Sequence, residues 1–133
     1  MATTTATITI SSKDLLTDEL SLSTSATLTT AGSSTAGLTN TTGLGRTKKS
    51  DHAQYTLYDG DAYGDGSHKI FLKNLSTTPA EFFTIEINSE QMGKLYAGDW
   101  CFFPWEANAD TNDIKIDPSA DNMVLEYMLF IDE

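Results

Sequence analysis

The chain is predicted to be all-β: an antiparallel β-sandwich, jelly-roll-like, preceded by an extended N-terminal arm. Three observations predict it. Apolar segments of strand length recur from Tyr55 to Ile131, joined by polar turns. No segment sustains a helical period over several turns. No alternation of strand and helix marks a parallel sheet. At 133 residues the chain suffices for one hydrophobic core without disulfide staples.

The first fifty residues contain fifteen Thr and eight Ser. β-Branched residues favour extended backbone, so this density reads as an arm rather than a disordered tail. Thr7-Ile8-Thr9-Ile10 alternates with period two, as do Leu20-Ser21-Leu22-Ser23 and Ala26-Thr27-Leu28-Thr29. Between them, residues 14–20 suit a turn or one helical turn. Gly32, Gly37, Gly43 and Gly45 among Ser, Thr and Asn then mark a long polar connection to about Ser50. Such an arm would satisfy its backbone groups on the edge strand of a neighbouring subunit. Residues 1–50 are therefore assigned to arm and loop, and 51–133 to the sandwich.

The sandwich strands follow in order. Tyr55–Tyr58 and Lys69–Asn74 flank a loop of turn formers, Asp59 to Ser67. Glu81–Ile87 comes next, with Phe83, Ile85 and Ile87 on one face. Residues 89–95 suit a short helical turn interrupted by Gly93. Trp100–Phe103 is a strand that Pro104 ends or forces to a sheet edge. Asp113–Ile116 is short, and Asn122–Ile131 is the longest. Most of the aromatic residues, among them Phe71, Phe82, Phe83 and Tyr127, fall where a sandwich would bury them. No internal repeat of fixed period is evident.

The net charge of −11 is unevenly placed. Residues 1–50 hold four basic and three acidic groups, whereas 51–133 hold sixteen acidic and four basic ones. A surface this acidic repels phosphate backbones, which argues against a nucleic-acid partner. No apolar stretch approaches the roughly 20 residues of a membrane span. The first residues have neither the basic region nor the apolar run of a signal peptide, so a soluble protein is expected, acting in the compartment that makes it. The one cysteine, Cys101, sits between Trp100 and Phe102 and reads as a small core residue.

Motifs for chemistry are weak. Asp59, Asp61 and Asp65 with their glycines suggest a calcium loop, but the twelfth position from Asp59 is Ile70, where a bidentate Glu belongs. Asp110, Asp113, Asp117 and Asp121 form a second acidic tract that reads as loop solvation. His52 and His68 have no zinc-ligand spacing. Residues 32–36 miss a nucleophile elbow at Ala36, and Gly43-Leu44-Gly45 is not a phosphate loop. Glu81 with Glu86 or Glu126 supplies the residue types of a glycosidase pair without the spacing to define one. The expected protein is not an enzyme and holds no metal or cofactor.

Binding surfaces are better indicated. On the strand from Trp100, Cys101 and Phe103 share one face and Trp100 and Phe102 the other, so both faces are apolar. The last strand repeats this, with Met123, Leu125, Tyr127, Leu129 and Ile131 opposite Val124, Met128 and Phe130, interrupted only by Glu126. A strand that is apolar on two sides points to a subunit interface. Trp100, Phe102, Trp105 and Met128 are the expected contacts between copies, with Ile8, Leu22 and Leu28 of the arm. Arg46, Lys48 and Lys49 form a basic patch suited to an acidic partner.

The runs Ile70-Phe71-Leu72-Lys73-Asn74, Leu95 to Trp100 with Phe103-Pro104-Trp105, and Leu125 to Phe130 resemble small virion proteins of tailed bacteriophages, particularly marine and cyanobacterial ones. Thr41 to Arg46 has the same character. The resemblance spans most of the chain as a pattern of style. It implies a capsid decoration or cement protein present in many copies, clamping neighbouring subunits of the major capsid protein. A neck or tail component and a host-facing carbohydrate-binding module are the alternatives. It further implies a homo-oligomer, with a trimer natural for a jelly roll on a shell, found on the virion and assembled in the host bacterial cytoplasm.

Overall fold

The computed structural model describes residues 3–30, 32–33, 35–38, 40–108 and 111–132. The chain divides into two units, residues 1–39 and 40–133. The boundary lies about ten residues before the one expected at 50, because two short segments read as loop are strands of the sandwich.

The first unit is a β-hairpin. Strands β1 (Thr4–Ser12) and β2 (Leu20–Leu28) pair antiparallel without a bulge, from Thr4 opposite Leu28 to Ser12 opposite Leu20. The arm strands thus pair with each other, each along one of its two edges. One face carries Ala6, Ile8 and Ile10 with Leu20, Leu22 and Ala26. The other carries Thr and Ser, with the Thr7 and Ser25 hydroxyls 2.8 Å apart across the strands. Ser12 Oγ accepts the Leu15 N–H at 3.1 Å and so tightens the connection. After β2 the chain doubles back: the Leu38 N–H donates to the Leu28 carbonyl, and both side chains are buried.

The second unit holds the remaining strands: β3 (Asn40–Thr41), β4 (Gly45–Lys48), β5 (Tyr55–Tyr58), β6 (Gly66–Asn74), β7 (Phe82–Ile87), β8 (Glu90–Tyr96), β9 (Trp100–Ala107), β10 (Ile114–Pro118) and β11 (Val124–Ile131). Their order defines the fold. One sheet runs β3/β4, β11, β6, β9, with β3 and β4 placed end to end along β11; the other runs β5, β10, β7, β8. Every pairing is antiparallel, and β4 pairs β11, β5 pairs β10, β6 pairs β9 and β7 pairs β8. First strand with last, second with second-last, and so inward, is the wrapping of an eight-stranded jelly roll. The predicted fold class is the observed one.

The core lies between the sheets. Ile70, Leu72, Trp105, Leu125 and Leu129 come from one sheet; Phe83, Ile85, Leu95, Ile114 and Ile116 come from the other. Each fully buried aliphatic or aromatic side chain of this kind contributes about 1.5–3 kcal/mol. Asn74, fully buried at the end of β6, donates to the Leu95 carbonyl at 3.0 Å and accepts the Ser76 N–H at 2.9 Å. It thereby ties the end of β6 to β8 and to the connection ahead of β7 where water cannot substitute.

Two elements differ from expectation. Residues 90–96 form β8, not a helical turn. Asn88 (φ 51°) and Ser89 (φ 62°) occupy the two central positions of a tight hairpin between Ile87 and Glu90. Two residues with positive φ give the turn whose twist suits antiparallel strands. Strand β9 continues past Phe103 through Pro104 to Ala107, and it lies at the sheet edge, the second of the two alternatives for Pro104, where a residue with no N–H is accommodated.

Candidate functional site

Alternation along the strands sorts the side chains of the β3/β4–β11–β6–β9 sheet into core and outer face. On β9, Cys101, Phe103, Trp105 and Ala107 turn inward; Trp100, Phe102, Pro104 and Glu106 turn outward. On β6, Ile70, Leu72 and Asn74 are fully buried, leaving Lys69, Phe71 and Lys73 outside. On β11, Glu126, Met128 and Phe130 face outward.

The register joins these outward residues into one surface. Phe102 lies opposite Phe71, and Phe71 opposite Met128, so three apolar side chains cross three strands in a row. Phe130 lies opposite Lys69, and its ring meets that of Phe102 edge to face at 6.2 Å between centroids. Trp100, 49% exposed, lies opposite Lys73, which lies opposite Glu126. Arg46 Nε completes that row by donating to Glu126 Oε2 at 2.9 Å. The result is an apolar band edged by cations, in a chain whose net charge is −11.

The expected contact residues divide accordingly. Trp100, Phe102 and Met128 lie together on this face. Trp105 does not: it is 2% exposed, its Nε1–H donates to the Asn112 carbonyl at 2.7 Å, and Tyr58, Tyr63 and His68 surround its ring. It is a core residue, and its parity with Cys101 and Phe103 requires that. Ile8 and Leu22 lie on the apolar face of the hairpin, whereas Leu28, 7% exposed, is buried at its base and cannot serve as an open contact.

The basic patch also divides. Arg46 and Lys48, two apart on β4, point outward with the cations of β6. Lys49 lies beyond the strand, with its ammonium 5.0 Å from the centre of the Tyr55 ring. Phe71, expected among the buried aromatics, lies instead on the outer face with Lys69, Lys73 and Phe130. Their signal was present in the alternation of Lys69, Phe71 and Lys73 with Ile70 and Leu72.

Among the described residues the acidic tracts form no shared centre. Asp59 Oδ1 accepts the Asp61 N–H at 3.0 Å, and Asp113 Oδ1 accepts the Gly60 N–H at 2.9 Å, so both serve as loop caps. Gly60 is packed so closely that a Cβ would lie 2.5 Å from the carbonyl oxygens of Asn108 and Thr111. Asp110 lies outside the described residues. Among the described residues no three His, Cys, Asp or Glu side chains converge as metal ligands, and no cavity opens.

The remaining candidates for chemistry are separately engaged. His68 is buried, with Nε2 2.9 Å from the Gly64 carbonyl and Nδ1 accepting the Asp132 N–H at 2.9 Å, so both ring nitrogens are engaged by backbone. His52 is exposed, and the Asp121 carboxylate 2.7 Å from its Nδ1 raises its pKa through hydrogen bonding and charge. Glu81 accepts the Ser76 hydroxyl and Glu86 the Gln54 amide, while Glu126 pairs with Arg46 on the other sheet. Burial pushes the Cys101 thiol up to about 11, so it stays protonated at neutral pH. Among the described residues no helix is long and apolar enough to cross a membrane.

No family model, curated protein or solved structure matches this chain.

Proposed function

We propose that this protein is a non-enzymatic structural component of a phage particle, a capsid decoration or cement protein that uses the outer face of the β3/β4–β11–β6–β9 sheet to join neighbouring subunits. One observation carries the reading: Trp100, Phe102, Phe71, Met128 and Phe130 form a continuous apolar band on the outside of a strongly acidic domain. Contiguous apolar surface rimmed by polar groups is where proteins meet other macromolecules. A rigid sheet presents it without reorganisation on binding.

The jelly roll supports the reading as analogy only, since the same architecture serves capsid subunits and lectins. The major capsid protein is the proposed partner on the particle. At each junction a contact of ordinary size, about 1,600 Å² in total, holds partners together, and many copies multiply the effect. The acidic remainder of the surface keeps the subunit away from packaged nucleic acid.

The test is the abundance of this chain in purified particles of the phage that encodes it, measured by quantitative mass spectrometry against the major capsid protein. Hundreds of copies per particle are expected. A few to a few dozen would replace the decoration role with a neck or tail role, and absence from the particle would overturn the reading.

A further inference from the structure

We infer that the occupant of the outer sheet face is the N-terminal hairpin of a second copy of this chain. The inference rests on the reading of the protein as a many-copy structural subunit and names the partner of that same surface.

The hairpin is built to be covered. Two strands alone are marginally stable in water and need a third layer to hide an apolar face. Here that face holds Ala6, Ile8, Ile10, Leu20, Leu22 and Ala26, with Thr24 opposite Ile8 and Ser12 opposite Leu20. Ile10 and Leu22 lie directly opposite each other, and each is 49% exposed. The sheet face presents the matching surface, with Trp100 also 49% exposed. Each unit thus carries large apolar side chains that are half exposed.

Length and charge agree. The nine-residue strands of the hairpin extend about 30 Å, the length of the β6 and β11 strands they would lie across. The hairpin connection carries Lys13 against Asp14, Asp18 and Glu19, one basic group minus three acidic ones, or −2. The outer sheet face carries Arg46, Lys48, Lys69 and Lys73 against Glu106 and Glu126, four minus two, or +2. Half of the eight basic residues of the chain thus lie on this one face. An apolar ribbon with an acidic end fits it, whereas a polyanion such as nucleic acid would leave the aromatic band uncovered. Exchange of hairpins would link copies reciprocally in a pair or head to tail around a ring.

The test uses the full chain carrying Cys101→Ser, with Leu22→Cys in one preparation and Phe102→Cys in a second. Mixed and oxidised, the two are expected to form an interchain disulfide well above the level given by Leu22→Cys with Thr56→Cys, which lies on the other sheet. Sedimentation equilibrium gives an independent readout. Lys69→Glu with Lys73→Glu should weaken self-association on the order of tenfold or more, and adding Asp14→Lys and Asp18→Lys to the same chain should restore it. A chain that stays monomeric at all concentrations overturns the inference. So does association in which the cross-link does not exceed the control, or in which the charge swap gives no recovery. None of these failures bears on particle abundance, which judges the structural role separately.

Discussion

Trp105→Ala is expected to destabilise the jelly roll by about 3–5 kcal/mol while leaving the association surface chemically unchanged. The indole is 2% exposed and packs among Tyr58, Tyr63 and His68, with ring centroids 5.6 to 5.9 Å away. Truncation removes these contacts, opens a cavity between the sheets and leaves the Asn112 carbonyl without the indole N–H that now reaches it at 2.7 Å. A domain of this size loses several degrees of melting temperature per kcal/mol, so a fall on the order of 15 °C is expected by calorimetry. Trp100→Ala is the control: that ring is half exposed, and its loss should change stability by about 1 kcal/mol or less. If the two variants melted alike, the assignment of Trp105 to the core and Trp100 to the surface would be wrong.

The second large effect concerns association. Phe102→Glu combined with Met128→Glu places two carboxylates on the row Phe102–Phe71–Met128 at the middle of the apolar band. Each substitution replaces an apolar contact by a charge that would be desolvated on binding, a cost of about 2 kcal/mol or more per site at the centre of an interface. Self-association, read by sedimentation equilibrium, should weaken by about two orders of magnitude or more. Both side chains point away from the core, so the melting temperature should change little. Retained self-association by a folded double variant would move the contact surface elsewhere.

The sandwich strands were legible where one face is buried and the other is not. Period-two alternation of Phe83, Ile85 and Ile87 with Thr84 and Glu86 marks β7 in the sequence, whereas β11 is marked by a long run that is apolar on both faces. The short strands β3 and β4 were not legible. Asn40–Thr41 and Gly45–Lys48 have the composition of a loop, and they become strands because β11 offers an unpaired edge beside them. The β8 segment contains Glu90, Gln91, Met92 and Lys94, which suit a helix; the tight turn at Asn88 and Ser89 overrides that preference by returning the chain along β7.

The candidate surface was partly readable. Trp100 and Phe102 were separable from Cys101 and Phe103 by alternation alone, and the same count places Trp105 inside. Grouping Trp105 with the contacts followed residue type where parity should have decided. Lys69, Phe71 and Lys73 were readable on their own strand as an outward face. That this face meets Phe102 on one side and Met128 on the other depends on sheet order, and one strand's sequence does not carry the identity of its neighbours. The arm makes the same point. Its two alternating segments were visible, but their partner proved to be each other.

The most direct test of the central claim is a cryo-electron microscopy map of the particle at a resolution that traces side chains. The account predicts copies on the head lattice in which Trp100, Phe102, Phe71 and Met128 are buried against another chain and the acidic loops at Asp59–Ser67 stay in solvent. A map in which this sheet face is bare, with the subunit held by some other surface, would contradict it.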